Sequence, residues 1–226
     1  MNSDSPSDDE IIDSWRKNAS PWTAAVRESQ IGSRVLVTNQ AIVDAVLSRA
    51  PRTVLDIGCG EGWLCRALEE HGIATIGVDV VPALVDQARR AGRGDYRAAS
   101  YEQIAAGDLT VKVDAAVANF SLIGKDSVEG IVQRAPALLE PCGSLIIQTL
   151  HPVTACGDAP YEDGWRDGSW AGFSDDFSDP APWYFRTIPS WEELLTSNGF
   201  RILEKREPLH PNTGKPASLI LIAVAV

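Results

Sequence analysis

Basic residues are scarce in this 226-residue chain: 20 Lys and Arg stand against 31 Asp and Glu, leaving a formal charge of −11. Nucleic-acid affinity rests mostly on Lys and Arg neutralising phosphates, so DNA, RNA and anionic membrane surfaces are poor partners. Long apolar runs are missing as well. The longest, Leu219 to Val226, has 8 residues, against about 20 for a bilayer span. The opening MNSDSPSDDE has neither a basic n-region nor an apolar h-region, so no secretory signal is expected. Cysteine is sparse, and Cys59, Cys65, Cys142 and Cys156 form no CxxC pair and no cluster with metal-ligand spacing. The expectation is a reduced, cytoplasmic setting and no metal.

What is present suits an ordinary globular domain, with 44% hydrophobic and 23% charged residues. The negative charge is uneven. Residues 1–14 carry five acids and no Lys or Arg, and residues 151–189 carry seven acids against Arg166 and Arg186. These two stretches hold all but one unit of the net charge.

Residues 1–10 read as a disordered tail. A short helix fits Ile11 to Lys17, and Ser20 followed by Pro21 signals another. Apolar residues at 35/36, 42/43 and 46/47 mark a helical stripe that Pro51 ends. Short β-branched runs then alternate with helices. Strands fit Thr53–Ile57, Ala74–Val78, Tyr96–Ala98, Val113–Ala118 and Ser144–Thr149; helices fit Gly62–His71, Pro82–Arg90 and Asp126–Glu140. This βαβα order predicts an α/β fold, a parallel sheet doubly wound by helices. Ser190 with Glu193 reads as a capping box for a further helix ending at Asn198-Gly199. Two last strands, near Phe200–Glu204 and Ala217–Val226, are joined by a Pro-rich link and predict an antiparallel hairpin at the sheet edge. The chain thus divides into a tail and cap helices over residues 1–50 and one domain over 51–226. Residues 152–189 have no period and concentrate aromatics, which suggests a lid.

The strongest local signal is Val54-Leu55-Asp56-Ile57-Gly58-Cys59-Gly60-Glu61-Gly62, a strand entering a glycine turn that opens a helix. Glycines here allow a sharp turn and close approach to a ligand. Asp79 ends the next strand, 19 residues after Gly60, where a carboxylate can accept hydrogen bonds from a ribose. A dinucleotide site normally reads GxGxxG and sets a pyrophosphate on the helix N-terminus. In this chain the third Gly falls one position early and Asp56 would repel a pyrophosphate, yet Asp56 suits a ligand with an ammonium and a sulfonium.

These residues resemble the class I S-adenosylmethionine-dependent methyltransferases, most of all the small-molecule enzymes of the ubiquinone-biosynthesis type. The glycine turn resembles that family's first motif, and Gly77-Val78-Asp79-Val80-Val81-Pro82 its second. Ala99-Ser100-Tyr101 resembles the segment edging the adenine, and Asp114–Asn119 with Phe120 the strand end facing the transferred methyl. The turn Pro141-Cys142-Gly143-Ser144 leads into strand five. The resemblance implies a seven-stranded, mostly parallel sheet with an antiparallel last strand. It also implies S-adenosylmethionine as cofactor, S-adenosylhomocysteine as product, and a small-molecule acceptor methylated on oxygen or nitrogen. Asp56, Gly58, Cys59, Gly60, Asp79, Val80, Ser100, Tyr101, Asn119 and Phe120 are the expected cofactor residues. Asn119-Phe120 lacks the two prolines of DNA amino-methyltransferases, which argues against a nucleobase acceptor.

Trp15 and Trp22 lie where similar enzymes fold over the cofactor's methionine end, and Arg16 and Arg34 are candidates to meet its carboxylate. His151 directly follows strand five, at the edge where open α/β sheets bind ligands. His210 lies in the link after strand six. Both are candidate bases or substrate-orienting groups, suited near neutral pH to taking a hydroxyl proton; the bland reading is that each merely begins a His-Pro turn. Two other functions share the topology: a nicotinamide-dependent oxidoreductase, and a non-catalytic S-adenosylmethionine-binding protein.

Overall fold

A computed structural model describes residues 6–226. The supposed tail is only partly outside it. Residues 1–5 lie beyond the described part, whereas Asp8, Asp9 and Glu10 form the first turn of helix α1, Asp8–Lys17. Three acids there complement the positive end of the helix dipole, so the acid-rich start is a helix signal as much as a disorder signal. Helix α2, Ala19–Arg27, follows at once with Asn18 as its cap residue, so Ser20 sits inside the first turn instead of preceding it. A π-helical turn over Arg34–Thr38 leads into α3, Asn39–Leu47.

The alternating region then runs β1 (Thr53–Ile57), α4 (Trp63–Glu69), β2 (Ala74–Asp79), α5 (Pro82–Ala91), β3 (Asp95–Ala98), α6 (Tyr101–Ala106), β4 (Val113–Asn119), α7 (Asp126–Arg134) and β5 (Leu139–Leu150). Helix α6 is an addition to the expected elements. Its signal is Ser100 with Gln103, a capping box in which each side chain meets the other residue's backbone N–H. Helix α7 ends earlier than expected because Pro136 has no N–H to continue it, the chain tightens into a 3-10 turn over Ala135–Leu138, and residues 139–140 already belong to β5.

After β5 come α8 (Pro152–Ala155), β6 (Gly164–Arg166), β7 (Trp183–Phe185), α9 (Ile188–Ser197), β8 (Phe200–Arg206) and β9 (Ser218–Ala225). The stretch over 152–189 is thus less irregular than its sequence suggests, for β6 and β7 pair as an antiparallel ribbon. Ser190 does not cap α9. Thr187 does, its hydroxyl accepting the Ser190 N–H, while the Ser190 hydroxyl donates to Asp163.

The main sheet has seven strands in the order β3-β2-β1-β4-β5-β9-β8. Strands β1 to β5 are parallel, β9 is antiparallel to β5, and β8 pairs antiparallel with β9. Alternate residues of the central strands face opposite layers, as period-two side chains must. Leu55, Ile57, Ala116, Leu145 and Leu221 pack under α6, α7 and α9. Val54, Ala115, Val117, Ile146 and Ile220 pack under α3 and α4. This sheet order places the carboxyl ends of β1, β2 and β4 side by side, at the point where the strand order reverses and open α/β sheets leave a crevice.

Helices α1 and α2 are tied to the segment 170–179. Fully buried Asn18 donates to Ser14 O and Ser178 O and accepts the Ser178 N–H at 2.9 Å. The Ser14 hydroxyl and Lys17 ammonium both bond Asp179. Removing a partner from buried polar groups costs about 1–3 kcal/mol. Asn18→Ala should therefore lower stability by about that amount in denaturant unfolding. The same substitution should speed proteolytic cleavage within residues 167–182; unchanged cleavage there would show that Asn18 does not hold the segment.

Candidate active site

The glycine turn is held from below by β2. The Gly58 and Cys59 N–H groups both donate to Val78 O, at 2.8 and 2.9 Å. The Asp79 carboxylate closes the arrangement: Oδ2 accepts the Gly60 N–H at 2.9 Å and Oδ1 accepts the Val81 N–H at 2.8 Å. Gly58 is required by crowding as well as by its φ of +76°. A Cβ there would collide with Ser121 Cβ and lie 2.8 Å from the Tyr101 hydroxyl oxygen. Tyr101 in turn donates to Ser121 O, and the Ser121 hydroxyl donates to Ile57 O.

A cavity of about 790 Å3, counting the space at its mouth, opens over this turn. Gly58, Gly60, Asp79, Val80, Tyr101, Asn119 and Phe120 line it together, drawn from the ends of β1, β2 and β4 and the start of α6. Phe120 adopts φ +54°, a rare backbone for a bulky residue, with its N–H donating to Gln148 O. Trp15 and Trp22 also line the cavity, their rings meeting edge to face.

Five candidates lie outside that wall. Asp56 is buried beneath the turn, where the Cys65 thiol donates to it at 3.6 Å. Cys59 turns its side chain into an apolar cluster with Cys65, Val85, Ala88 and Tyr96. Ser100 is engaged in capping α6. His151 is buried with Nε2 3.0 Å from Glu207, and the His210 Nδ1 accepts the Asn212 N–H. Both histidines stand at the carboxyl edge, since Leu150 pairs with Ser218 there, but on the β5-β9-β8 side of the sheet.

The structure adds residues that the sequence reading left out. Asp8, Ile11 and Ile12 of α1 line the cavity, with Ser121, Ile123, Gly124 and Ser127 opposite. Asp8 reaches across to cap α7, its carboxylate accepting the Lys125 N–H at 2.8 Å and the Ser127 N–H at 2.7 Å. Gly124 makes room for it, because a Cβ there would lie 2.7 Å from Asp8 Oδ1. Glu61, a turn residue, is buried and neutralised by Arg27 at 2.8 Å and Arg66 at 2.7 Å.

The electrostatics favour a cation. Asp56 and Asp79 are buried acids with no direct ion pair, and only Arg34 stands near Asp56. Burial pushes the Asp56 carboxyl up to about 7, with the Asp79 charge adding and the Cys65 thiol and Arg34 opposing. Burial likewise raises Asp79, opposed by its two backbone N–H bonds. Arg34 lies between the Trp22 and Trp63 rings, its pKa lowered to about 10 by burial. Its Nε donates to Asn39, and one of its terminal amino groups is buried with no partner. Arg16, by contrast, is an exposed partner of Asp13. Among the described residues, no group of three or more His, Cys, Asp or Glu is arranged to hold a metal.

The Asp56 shift implies a pH dependence of stability. An unfolded Asp titrates near about 3.9. Between there and about pH 7 the native state keeps a proton that the unfolded chain has lost, so stability falls as pH rises through that window and levels above it. Asp56→Asn should remove this component. Denaturant unfolding of both proteins across the window should show the wild type losing ground to the variant as pH rises; a constant difference would refute the buried, protonated acid.

The comparisons with known proteins agree with this geometry. The family model for a methyltransferase domain matches residues 34–205. A ubiquinone biosynthesis O-methyltransferase of Xanthomonas oryzae pv. oryzae is 34% identical over 118 residues, which is 50% of this chain and 49% of that protein. The Xylella fastidiosa protein of that name is 30% identical over 125 residues, 52% of this chain and 50% of the relative. The chain thus spans about half the length of the curated relatives it matches. Among solved structures, the Burkholderia thailandensis 1,6-didemethyltoxoflavin-N1-methyltransferase, with bound 1,6-didemethyltoxoflavin and S-adenosylhomocysteine, superposes with a TM-score of 0.67 at 21% identity. It covers 100% of this chain and 93% of its own. A Mesorhizobium loti S-adenosylmethionine-dependent methyltransferase gives 0.62 at 22% identity, covering 80% of this chain and 96% of that one. These likenesses share the fold, and the family match covers the glycine turn, Asp79 and the end of β4: the chain belongs to the methyltransferase-domain family.

Proposed function

We propose that this chain binds S-adenosylmethionine and transfers its methyl group to a small-molecule acceptor. The observation that carries the reading is the Asp79 carboxylate, placed at the cavity wall and locked there by the Gly60 and Val81 amides. Each of its oxygens keeps a further lone pair for a ribose hydroxyl. The residues present fit the rest of such a ligand. Val80, Leu84 and Tyr101 offer an apolar slot for an adenine. Asp79 at the wall, with Asp56 beneath the turn, suits an ammonium. The unpartnered amino group of Arg34, next to the Trp22 ring that lines the cavity, suits a carboxylate.

Bound, the cofactor supplies a methyl already activated by its sulfonium. The chain's contribution is then alignment, which can supply about 7–11 kcal/mol of a barrier. Asn119 and Phe120 end β4 at the face assigned to the reacting methyl, with Phe120 held in its strained backbone by Gln148 O. Trp15, Ile11 and Ile12 close the opposite side and exclude water. Segment 152–189 serves as the lid. Its Trp170 meets Trp15 and its Phe173 meets Trp22, with Phe177 packed against both loop rings, coupling the loop to the cavity wall. The curated relatives are named for O-methylation and one structural neighbour for N-methylation, so it is this cavity's own chemistry that selects the acceptor atom.

Titration calorimetry with S-adenosylmethionine and S-adenosylhomocysteine tests the reading; absence of binding to either would overturn it. Losing charge-assisted hydrogen bonds costs about 1.5–3 kcal/mol. Asp79→Ala should therefore weaken binding by about ten- to a hundredfold. It should also lower thermal stability, because the Gly60 and Val81 amides lose their acceptor. Arg34→Gln should weaken S-adenosylhomocysteine by about tenfold, yet leave methylthioadenosine, which has no carboxylate, unchanged. Equal losses for both ligands would remove Arg34 from the carboxylate role.

A further inference from the structure

Methyl acceptors differ in what they ask of a protein. A hydroxyl must lose its proton as the new bond forms, so it needs a base beside the reacting atoms. A carboxylate needs no base but calls for a cation. A neutral nitrogen brings its own lone pair and gathers positive charge as it reacts. The cavity walls discriminate among these, granted the cofactor reading on which this step rests.

Among the described residues no His, Lys, Arg or Cys lines the cavity, and its titratable groups are Asp8, Asp79, Tyr101 and Glu102. Asp8 caps α7 through the Lys125 and Ser127 amides, and Asp79 holds the Gly60 and Val81 amides and turns its free lone pairs to the ribose; a carboxylate is in any case a weak base toward a hydroxyl. The Tyr101 hydroxyl donates to Ser121 O, and burial raises its pKa further. Glu102 is exposed at the rim. Neither histidine candidate reaches the wall. No side chain stands there poised to take a hydroxyl proton, and none offers a positive charge to a carboxylate.

The surroundings add a sign. A groove of about 1000 Å3, counting open space, adjoins the cavity and shares Asp8, Tyr101, Glu102 and Ser127 with it. Asp9, Asp126 and the Trp165 side chain line it further. Its one lysine, Lys125, is taken up by Asp126 at 2.9 Å and Glu129 at 3.9 Å. An anion approaching along this groove meets carboxylates, whereas a group gaining positive charge is favoured. Trp15, Phe120 and Ile123 supply apolar and aromatic surface within.

We propose that the acceptor is a flat heteroaromatic nitrogen compound, uncharged at the reacting atom, and that it enters along the groove between α1, α6, α7 and Trp165. The nitrogen lone pair forms the bond to the methyl carbon as the carbon–sulfur bond breaks. The released pair stays on sulfur, which becomes a neutral thioether, and the positive charge passes to nitrogen. Asp8 at the cavity wall and the acidic groove beyond it favour that charge, and an N–H proton, where the acceptor has one, leaves to water.

Calorimetry of the full chain saturated with S-adenosylhomocysteine tests the proposal with three bicyclic probes of one size: an aminoquinoline, a naphthol and a naphthoate. Binding of S-adenosylhomocysteine is recorded first, so a failure of the cofactor reading is seen separately. The aminoquinoline should bind about tenfold or more tightly than the naphthoate, from charge complementarity. Glu102→Gln with Asp126→Asn should remove most of that gap. A naphthoate or naphthol bound as tightly as the aminoquinoline would overturn the proposal. A hydroxyquinoline offering ring nitrogen and hydroxyl at opposite ends, given methyl-labelled cofactor, should carry the label on nitrogen; label on oxygen would overturn it as well.

Discussion

Asp79 carries a buried negative charge with no cation against it, and two backbone amides converge on it instead. One amide belongs to the turn leaving β1, the other to the start of α5. A single carboxylate therefore fixes two loop ends from neighbouring strands, and the wall between them follows. Burying such a group is costly unless its hydrogen bonds are made, and the two amides supply them. They do not exhaust its lone pairs, which is why the same group can hold the turn and still face a ligand.

Beneath the turn a second acid, Asp56, has no amides of this kind, and its carboxyl is raised to about 7. Glu61, one residue beyond Gly60, is handled in a third way, by two arginines from α2 and α4. Three buried acids within one turn region thus have three fates: hydrogen-bonded, raised in pKa, and ion-paired. Only the last is electrically closed. Asp79 keeps the cavity floor negative while Asp56 beneath it holds a proton up to about pH 7, and the acids at the rim extend the negative sign outward. This field joins the cofactor proposal to the proposed nitrogen acceptor, since both ligands bring or gain positive charge.

The cover over the cavity is built from distant parts of the chain. Asn18 bonds the backbone of Ser178, Trp15 and Trp22 stack with Trp170 and Phe173, and Asp8 caps α7. Helices α1 and α2 pack Trp15, Ala19 and Trp22 on Val81 and Leu84, and segment 170–179 adds its own cluster of Trp170, Phe173 and Phe177. Their rings and hydrogen bonds join the two into one cover, which rests on the start of α5.

Much of the architecture was legible because it is local or periodic. The β-branched runs, the glycine turn and the helix-ending Gly and Pro signals placed β1 to β5 to within a few residues, apart from the early start of β5, and Asp79 stood out by its spacing from Gly60. Errors fell where local chemistry had two solutions. Ser190 and Thr187 both suit a cap, and packing chose Thr187 while Asp163 took the Ser190 hydroxyl. The acids at 8–10 read as a solvated tail, yet Asp8 serves a helix 117 residues away. No local pattern carries that information. By itself the sequence determined the α/β order, the glycine turn and the acid that ends β2, because these depend on residues near one another along the chain. Only the tertiary structure decided that α1 walls the cavity, that Arg34 keeps an unpartnered amino group while Arg16 is spent at the surface, and that both histidines stand away from the wall. Those outcomes depend on which strand lies beside which and on what each buried polar group finds across the gap.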